Sequence, residues 1–300
     1  MLWKLASLGK ISRVSMVPPA PSPERHGVAL TVILRNEERY VAEWAGFHHL
    51  AGVRHFHVYD NGCTDGTLAR LAEALPSEAL TVIPWKQKLG DARLRRALHN
   101  QVLAFAHAAS NFGGAFRWMG FIDVDEFLIP KQAANIPAAL AHLEDTECIS
   151  LPWHMFGHSG HDTAPDGPVL QNYTLRARDP LNPAKGLRNF KCLADPCRLT
   201  ALRVHSMTCS HRDVSVNDAG IEYAHRQRTL PEFYSSSHLQ LNHYYSRSRT
   251  ELEEKLRRGP ASPTARRDYE RKVRRLVSAI ESETIEDSSA ISFARRIGFL

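Results

Sequence analysis

From residue 28 to residue 129, short apolar runs alternate with amphipathic segments. The apolar runs are rich in β-branched residues and predict strands, whereas the segments between them space their apolar residues at helical intervals. The predicted strands cover 28–35, 53–60, 80–85 and 117–129, and the predicted helices cover 36–52, 67–76 and 91–109. This alternation indicates an α/β fold with a mostly parallel sheet and helices on both of its faces.

Beyond residue 130 the pattern is less regular, and short β-like runs mix with loops up to residue 245. Ser248 and Glu251 have the spacing of a capping box, which marks the start of a helix. The elements predicted in this half are a helix at 135–143, a strand at 148–157 and helices at 248–259 and 264–281.

The domain organisation follows from these elements and from a proline-rich stretch at 17–24 that reads as a linker. We expect a flexible leader over 1–25, one domain over 26–245 and a C-terminal helical extension over 246–300. With 300 residues, 43% hydrophobic and 23% charged, the composition is that of a globular protein with a sizeable core. The net charge of +6 suits anionic partners such as nucleotide diphosphates, but charge alone selects no partner.

Cysteine usage and the N-terminal segment indicate the compartment. The five cysteines are an odd number without a CxxC pair, which argues against a disulfide framework and a structural zinc site. No apolar run approaches the roughly 20 residues of a transmembrane helix. Residues 1–16 are basic and weakly amphipathic and lack the apolar centre of a signal peptide. We expect a cytoplasmic protein, with peripheral contact between this segment and a membrane surface as the alternative.

The stretch WMGFIDVDEFLIP places Asp123, Asp125 and Glu126 inside an apolar run. Burying carboxylates without a countercharge is costly. Residues two apart on a strand face the same side, and two neighbouring carboxylates suit Mg²⁺ or Mn²⁺ with positions left open for phosphate oxygens. The alternative is that these acids pair with basic side chains such as Arg117.

Polar residues follow three predicted strands at the point where each strand ends. Asn36 and Glu37 follow the first strand, Asp60 ends the second, and the acidic stretch ends the fourth. Parallel α/β sheets bind ligands beyond the carboxyl ends of their strands, so we expect these groups to line one crevice. Asp60 could accept a hydrogen bond from a nucleobase; alternatively, the segment DNGCTDGT is only a strand-to-helix turn.

Four segments, in this order, resemble glycosyltransferase family 92 proteins and the related bacterial family 2-like glycosyltransferases. They are ILRNEERYVAEWAGFHHLAGVRHFHVYDNGCTDGT, FIDVDEFL, WHMFGHSGH and LNHYYSRSRTELEEKLRRG, and they span about residues 28–260. The resemblance implies a GT-A fold, which is a Rossmann-like sheet with a metal-binding DxD motif. It also implies transfer from a nucleotide-sugar, commonly a UDP-sugar, to a hydroxyl of a glycan or polysaccharide with inversion at the anomeric carbon. Nucleic acid is not an expected partner.

The resemblance also implies roles for residues at the matching positions. Asp123 and Asp125 would hold Mn²⁺ or Mg²⁺ on the diphosphate, and His243 would complete this coordination unless it is a buried structural histidine. The nucleoside and donor side would be formed by Asn36, Glu37, Asp60 and Asn100. Arg188 or Lys191 could assist the phosphates.

The acceptor side is expected at WHMFGHSGH, where Trp153 offers a flat face for a sugar ring. An inverting transfer needs a general base. His161 and Asp162 are candidates by position, and Glu126 is a third, unless it only orients the aspartate pair.

Two other functions use similar residues. A nucleotidyltransferase also places a metal-binding acid pair on an α/β sheet, but it would more often carry a glycine-rich basic loop where this chain has RNEERY. A non-catalytic basic binding protein would not require acids at several strand ends.

Overall fold

Strands and helices alternate through the first half of the chain, as the apolar pattern predicts. The structure is a computed structural model that describes residues 10–184, 186–259 and 263–300. The strands are β1 (Val14–Ser15), β2 (Val28–Leu34), β3 (Val53–Asp60), β4 (Leu80–Pro84), β5 (Gly90–Asp91), β6 (Arg96–Ala97), β7 (Trp118–Phe121), β8 (Glu126–Pro130), β9 (Cys148–Phe156), β10 (Leu175–Ala177), β11 (Phe190–Ala194), β12 (Leu199–Leu202), β13 (Met207–Cys209), β14 (Val214–Val216), β15 (Glu222–Ala224), β16 (Leu239–Tyr244) and β17 (Thr284–Glu286). The helices are α1 (Val41–Leu50), α2 (Thr67–Ala74), α3 (Asn100–Phe112), α4 (Ile136–Leu140), α5 (Val169–Asn172), α6 (Arg249–Arg257), α7 (Pro263–Glu281) and α8 (Ser289–Arg296).

The main sheet is parallel on one side and largely antiparallel on the other. Strands β4, β3, β2 and β7 are neighbours in this order and pair in parallel. Beyond β7, strand β11 pairs antiparallel with both β7 and β9. The fold is therefore a mixed α/β fold, and the expected continuous parallel arrangement holds only for β4, β3, β2 and β7. Parallel pairs need long crossovers, usually helical, and the second half supplies few helices between its strands.

The helix predicted over 91–109 is wrong in its first part. Residues 90–97 form the small antiparallel hairpin of β5 and β6, and α3 begins only at Asn100. The Asp91 carboxylate accepts a hydrogen bond from the backbone N–H of Leu94 at 2.6 Å, and Arg95 has a left-handed backbone with φ of 50°. Leu94 fits the helical spacing of apolar residues, but it is 54% exposed and contributes little to the core.

The strand predicted over 117–129 is two strands separated by a turn. β7 ends at Phe121, and β8 begins at Glu126 and pairs with β16 instead of continuing along β2. The backbone N–H of Glu126 donates to the carbonyl of Asp123 at 3.1 Å, which closes the turn. The two aspartates therefore lie in a turn at the carboxyl edge of the parallel strands and not on one face of a strand.

The N-terminal and C-terminal segments both pack on the central domain. Residues 1–9 of the expected leader lie outside the described residues. From residue 10 the chain follows the domain surface, where β1 pairs with β12 and Arg25 makes two hydrogen bonds to Asp195. At the other end, β17 pairs with β10, and Phe293 of α8 packs against Phe47 of α1 with ring centroids 5.8 Å apart. No helix within the described ranges has the length and apolar character needed to span a membrane.

The core contains one fully buried histidine that links α1 to β8. The Nδ1 of His48 donates to the carbonyl of Trp44 at 2.8 Å, and its Nε2 accepts from the backbone N–H of Leu128 at 3.2 Å. Burial lowers the pKa of His48 to about 3, and the bond to Trp44 only partly opposes this effect. The ring is therefore neutral at pH 7.

This lowered pKa predicts a pH-dependent loss of stability. In the unfolded chain a histidine has a pKa of about 6.5, so the unfolded state binds a proton at a pH where the native state does not. The contribution of His48 to the free energy of unfolding is full above the pKa of the unfolded state. It is lost as the pH falls toward the pKa of the folded state. We expect the free energy of unfolding of the wild type to fall faster than that of His48→Gln, by about 1.4 kcal/mol per pH unit between roughly pH 6 and pH 4. Urea denaturation at several pH values measures this difference, and parallel profiles for the two proteins would contradict it.

Candidate active site

A cavity of about 2180 Å³ opens at the carboxyl edge of β2, β3 and β7. Most of the polar groups predicted to share a crevice do line it. The lining includes Asn36, Glu37, Asn100, Gln101, Asp123, Asp125, Trp153, His205, His243, Arg247 and Lys255. Ligand pockets for one small molecule typically enclose about 300–1,000 Å³. The cavity therefore has room for two ligands side by side.

The first carboxylate of the acidic turn is fully engaged. Asp123 accepts a hydrogen bond from Gln101 at 2.8 Å on one oxygen and from the ammonium of Lys191 at 2.7 Å on the other. Lys191 also lies 3.4 Å from Glu126, whose carboxylate accepts from the backbone N–H of Asp123 at 2.7 Å. Lys191 thus supplies a countercharge from within the protein.

Lys191 and Glu126 are both completely buried. Burial alone would lower the pKa of Lys191, but Asp123 and Glu126 outweigh it and raise this pKa, so the ammonium stays charged. Burial raises the pKa of Glu126, with a further increase from Asp123 and Asp125 and a decrease from Lys191. The ammonium of Lys191 pairs with Asp123 and Glu126 inside the protein. It is therefore not directed at substrate phosphates, contrary to one expectation from the sequence.

The second carboxylate faces a different set of groups. One oxygen of Asp125 lies 3.4 Å from Nε2 of His243 and 3.9 Å from the ammonium of Lys255. Burial would raise the pKa of Asp125, but the neighbouring His243, Lys255 and Arg247 lower it below its usual range. The backbone N–H of Tyr244 donates to the carbonyl of Asp125 at 2.8 Å, which fixes the turn against β16. Asp125 is therefore ionised beside the cavity.

The residues expected on the nucleoside side mainly tie loops together. The amide of Asn36 exchanges hydrogen bonds with Thr64, and Asn100 donates to the side chain of Asn61 at 3.3 Å. Asp60 lies outside the cavity lining and accepts from the backbone N–H groups of Gly62 and Cys63. Burial would raise the pKa of Asp60, but the hydrogen bonds from Cys63 and Gly62 and the charge of Lys86 lower it.

Glu37 belongs to a basic wall of the cavity. Its carboxylate lies 3.8 Å from Arg247, whose guanidinium lies over the ring of Tyr40 at 3.5 Å. Burial raises the pKa of Glu37, an effect that Arg247 opposes. Lys255 lies nearby and donates to the carbonyl of Tyr245 at 2.9 Å. This wall therefore presents Arg247 and Lys255 next to Asp125.

The three candidates for the general base lie away from the cavity lining. His161 places Nε2 at 3.0 Å from the carbonyl of Asn172, and the exposed Asp162 pairs with Arg249 at 2.7 Å. Glu126 is buried behind the acidic turn. Arg188, considered for the phosphates, donates to the carbonyl of Thr229 at 3.5 Å and is also outside the lining.

Trp153 lies in the cavity wall between two histidine rings. Its ring centroid is 5.2 Å from that of His205 and 4.4 Å from that of His243. The side chain is only 8% exposed. Trp153 therefore offers little free face for stacking on a sugar, and it mainly positions the two histidines.

Several residues that line the cavity were not predicted from the sequence. Gln101 follows Asn100 on α3 and reaches Asp123, and Lys255 lies on α6 beyond the capping box. The capping box of Ser248 and Glu251, predicted from the sequence, is present in the structure. The carboxylate of Glu251 also accepts a hydrogen bond from Tyr40 at the cavity wall. A search for charged residues on the inner face of this helix would have found Lys255.

We asked whether Asp125 and His243 suit a divalent cation. Two ligands in neighbouring positions around Mg²⁺ or Mn²⁺ lie roughly 3 Å apart, close to the 3.4 Å between Asp125 and Nε2 of His243. The other ring nitrogen, Nδ1, is buried without a hydrogen-bond partner and lies 4.0 Å from the equally unpartnered Oε1 of Glu126. A cation on Nε2 would fix the proton on Nδ1, toward this carboxylate. The donor set fits, although the described residues contain no cluster of three or more metal-ligating side chains with metal-site spacing.

Comparison with known proteins relates this chain to one family. The family model described as glycosyltransferase family 92 matches residues 26–276. A glycosyltransferase family 92 protein of Oryza sativa subsp. japonica is 27% identical over 197 residues, which cover 60% of this chain and 32% of the relative. Relatives of the same description from Ricinus communis and Arabidopsis thaliana are 29% and 28% identical over 50% and 52% of this chain, and over 26% and 28% of their own length. These alignments span about a third or less of each relative's length. The family model covers more than half of the chain, and its range includes the acidic turn: the chain belongs to glycosyltransferase family 92.

Proposed function

We propose that this chain is a metal-dependent glycosyltransferase that moves a sugar from a nucleotide-sugar, most simply a UDP-sugar, to a hydroxyl of a glycan, with inversion. The observation that carries the proposal is the position of Asp125 and His243. Their oxygen and nitrogen lie 3.4 Å apart beside a cavity that can hold a donor and an acceptor together.

The fold supports this proposal as a variant of the GT-A arrangement. Three of the four parallel strands, β2, β3 and β7, end at the cavity, and the acidic turn follows β7. Ligands bind at this edge in open α/β sheets. The antiparallel half of the sheet adds β16, which carries His243. The proposed donor site therefore combines residues from both halves.

The roles of the protein groups follow from their contacts. Asp125 and His243 would hold the cation, which when bound offsets the charge that develops on the diphosphate. Mg²⁺ is commonly bound by one or two carboxylates together with substrate phosphates, so two protein ligands are sufficient. Asp123, already held by Lys191 and Gln101, stiffens the turn. Arg247 and Lys255 would contact the leaving diphosphate from the basic wall.

A donor hydrolysis assay tests the proposed function. The full chain is incubated with UDP-glucose, UDP-galactose and UDP-N-acetylglucosamine, each with Mn²⁺ or with EDTA, and released UDP is measured. We expect slow release from at least one donor with Mn²⁺ and none with EDTA, because water replaces the missing acceptor. Pyrophosphate-linked nucleotide exchange would favour a nucleotidyltransferase, and the absence of both turnover and nucleotide binding would favour a binding protein.

A further inference from the structure

We propose that His205 is the general base of the transfer and takes the proton from the attacking hydroxyl. This inference rests on the proposed function. It assigns the general base, because the three candidates from the sequence, His161, Asp162 and Glu126, lie away from the cavity lining. The proposal stands on the hydrogen bond that orients the His205 ring, on the position of this ring across Trp153 from His243, and on the acceptor nitrogen that it presents to the cavity.

The hydrogen bonds of His205 fix its tautomer. Nδ1 lies 3.1 Å from the backbone carbonyl of Phe190, and a carbonyl only accepts, so Nδ1 carries the proton. The carbonyl of His205 itself accepts from Arg228 at 3.0 Å, which holds the residue in place. Nε2 is therefore the nitrogen with the free lone pair. Since His205 lines the cavity and no described residue bonds to Nε2, a ligand can reach it.

The neutral form is the stable one at pH 7. Burial lowers the pKa of His205 to about 4, with a further decrease from Lys191 and an increase from the bond to Phe190. A base of this strength matches a carboxylate, whose usual pKa is about 4. Carboxylates are common general bases in inverting transfer, so Nε2 has a suitable basicity once a hydroxyl is bound against it.

The position of His205 fits attack from the side opposite to the diphosphate. The ring of Trp153 separates His205 from His243, with centroid distances of 5.2 Å and 4.4 Å. If the diphosphate binds beside Asp125 and His243, the sugar would extend across Trp153 toward His205. The anomeric carbon would then have its leaving group on one side and Nε2 on the other.

Most carboxylates in the cavity wall are held by donors of the protein. Glu37 pairs with Arg247, and Glu251 accepts from Tyr40 and Ser248. Glu38 accepts from Gly66 and Asp65 from Thr67, whereas Glu254 is exposed and lies 3.9 Å from Arg257. His205 differs from the bonded carboxylates because no described residue donates to its Nε2, and from Glu254 because its ring packs against Trp153 beside the proposed cation site.

The step balances without a further reactant. The hydroxyl of the acceptor loses its proton to Nε2, its oxygen forms the bond to the anomeric carbon, and the bond from this carbon to the diphosphate oxygen breaks with its electron pair. The nucleoside diphosphate leaves, and His205 becomes an imidazolium that returns its proton to solvent. In the hydrolysis assay a water molecule takes the place of the acceptor hydroxyl.

Two substitutions separate proton transfer from structure. His205→Asn keeps an amide N–H near the carbonyl of Phe190 and removes Nε2, while His205→Gln can still hydrogen-bond a hydroxyl but cannot accept its proton. We expect both to lower the rate of Mn²⁺-dependent UDP release by about 10²–10⁴-fold, with unchanged UDP affinity by calorimetry. His142→Asn is the matched control, because its ring also bonds a backbone carbonyl, that of Asp218, outside the cavity.

A rescue experiment completes the test. Imidazole added to His205→Ala should restore UDP release in proportion to its concentration, while it leaves the wild type unchanged. Wild-type rates in both His205→Asn and His205→Gln, or a loss of UDP affinity that accounts for the lower rate, would overturn the role of His205. A wild-type protein that releases no UDP from any donor would instead overturn the proposed function itself.

Discussion

Replacing Asp125 by alanine is expected to weaken UDP binding in the presence of Mn²⁺ by at least about a hundredfold, which is ~2.7 kcal/mol. Asp125 is the ionised carboxylate beside His243, and its loss leaves a single protein ligand for the cation. Calorimetric titration of UDP with Mn²⁺ measures the effect. In EDTA the wild type and the variant should bind UDP equally weakly.

The control for this change is Asp162→Asn. Asp162 is an exposed carboxylate that pairs with Arg249 outside the cavity lining, so UDP binding should stay at the wild-type level. Thermal unfolding of both variants shows whether the fold is kept. Wild-type affinity of Asp125→Ala for UDP with Mn²⁺ would rule out the proposed cation site.

Replacing Lys191 by methionine is expected to lower the free energy of unfolding by about 3–5 kcal/mol. Lys191 is fully buried and contacts Asp123 and Glu126, so its removal leaves the buried Glu126 and the partly exposed Asp123 without this cation. The substitution keeps a similar volume, so the loss reports mainly on charge. Urea denaturation at pH 7 provides the measurement.

A double variant separates charge from packing in this cluster. Lys191→Met combined with Asp123→Asn removes one positive and one negative charge, and it should recover a large part of the lost stability. Lys272→Met, an exposed lysine on α7, should change the stability by less than about 0.5 kcal/mol. Equal losses in the single and double Lys191 variants would show that the ion pair contributes little.

The parallel half of the fold could be predicted from the sequence because the hydrophobic patterns of its strands and helices are local. The apolar runs of β2, β3 and β4 and the helical spacing of α1 and α2 each lie within one short segment. The convergence of Asn36, Asp123 and Asp125 on one crevice also followed, since parallel strands end at the same edge.

The remaining features depend on partners that are distant in the chain. Lys191 reaches Asp123 across 68 residues, and nothing near either residue indicates this pairing. Strands β10 to β15 are only three to five residues long, at or near the lower end of the roughly 4–8-residue runs that periodicity can detect, and their pairing depends on long-range register. The hairpin of β5 and β6 was missed because Leu94 and Leu98 happen to match helical spacing.

The pairing of β8 with β16 has a consequence for how this enzyme family can diversify. Glu126 lies opposite His243 in this ladder, and Tyr244 bonds to the carbonyl of Asp125, so the backbone itself sets the separation of the two proposed cation ligands. A slip of one residue would turn His243 to the opposite face. The stretch of chain between the two strands also carries Trp153, Lys191 and His205, which are therefore constrained together with the proposed ligands. Insertions in those of its loops that lie outside the cavity lining would leave the separation of the two ligands unchanged.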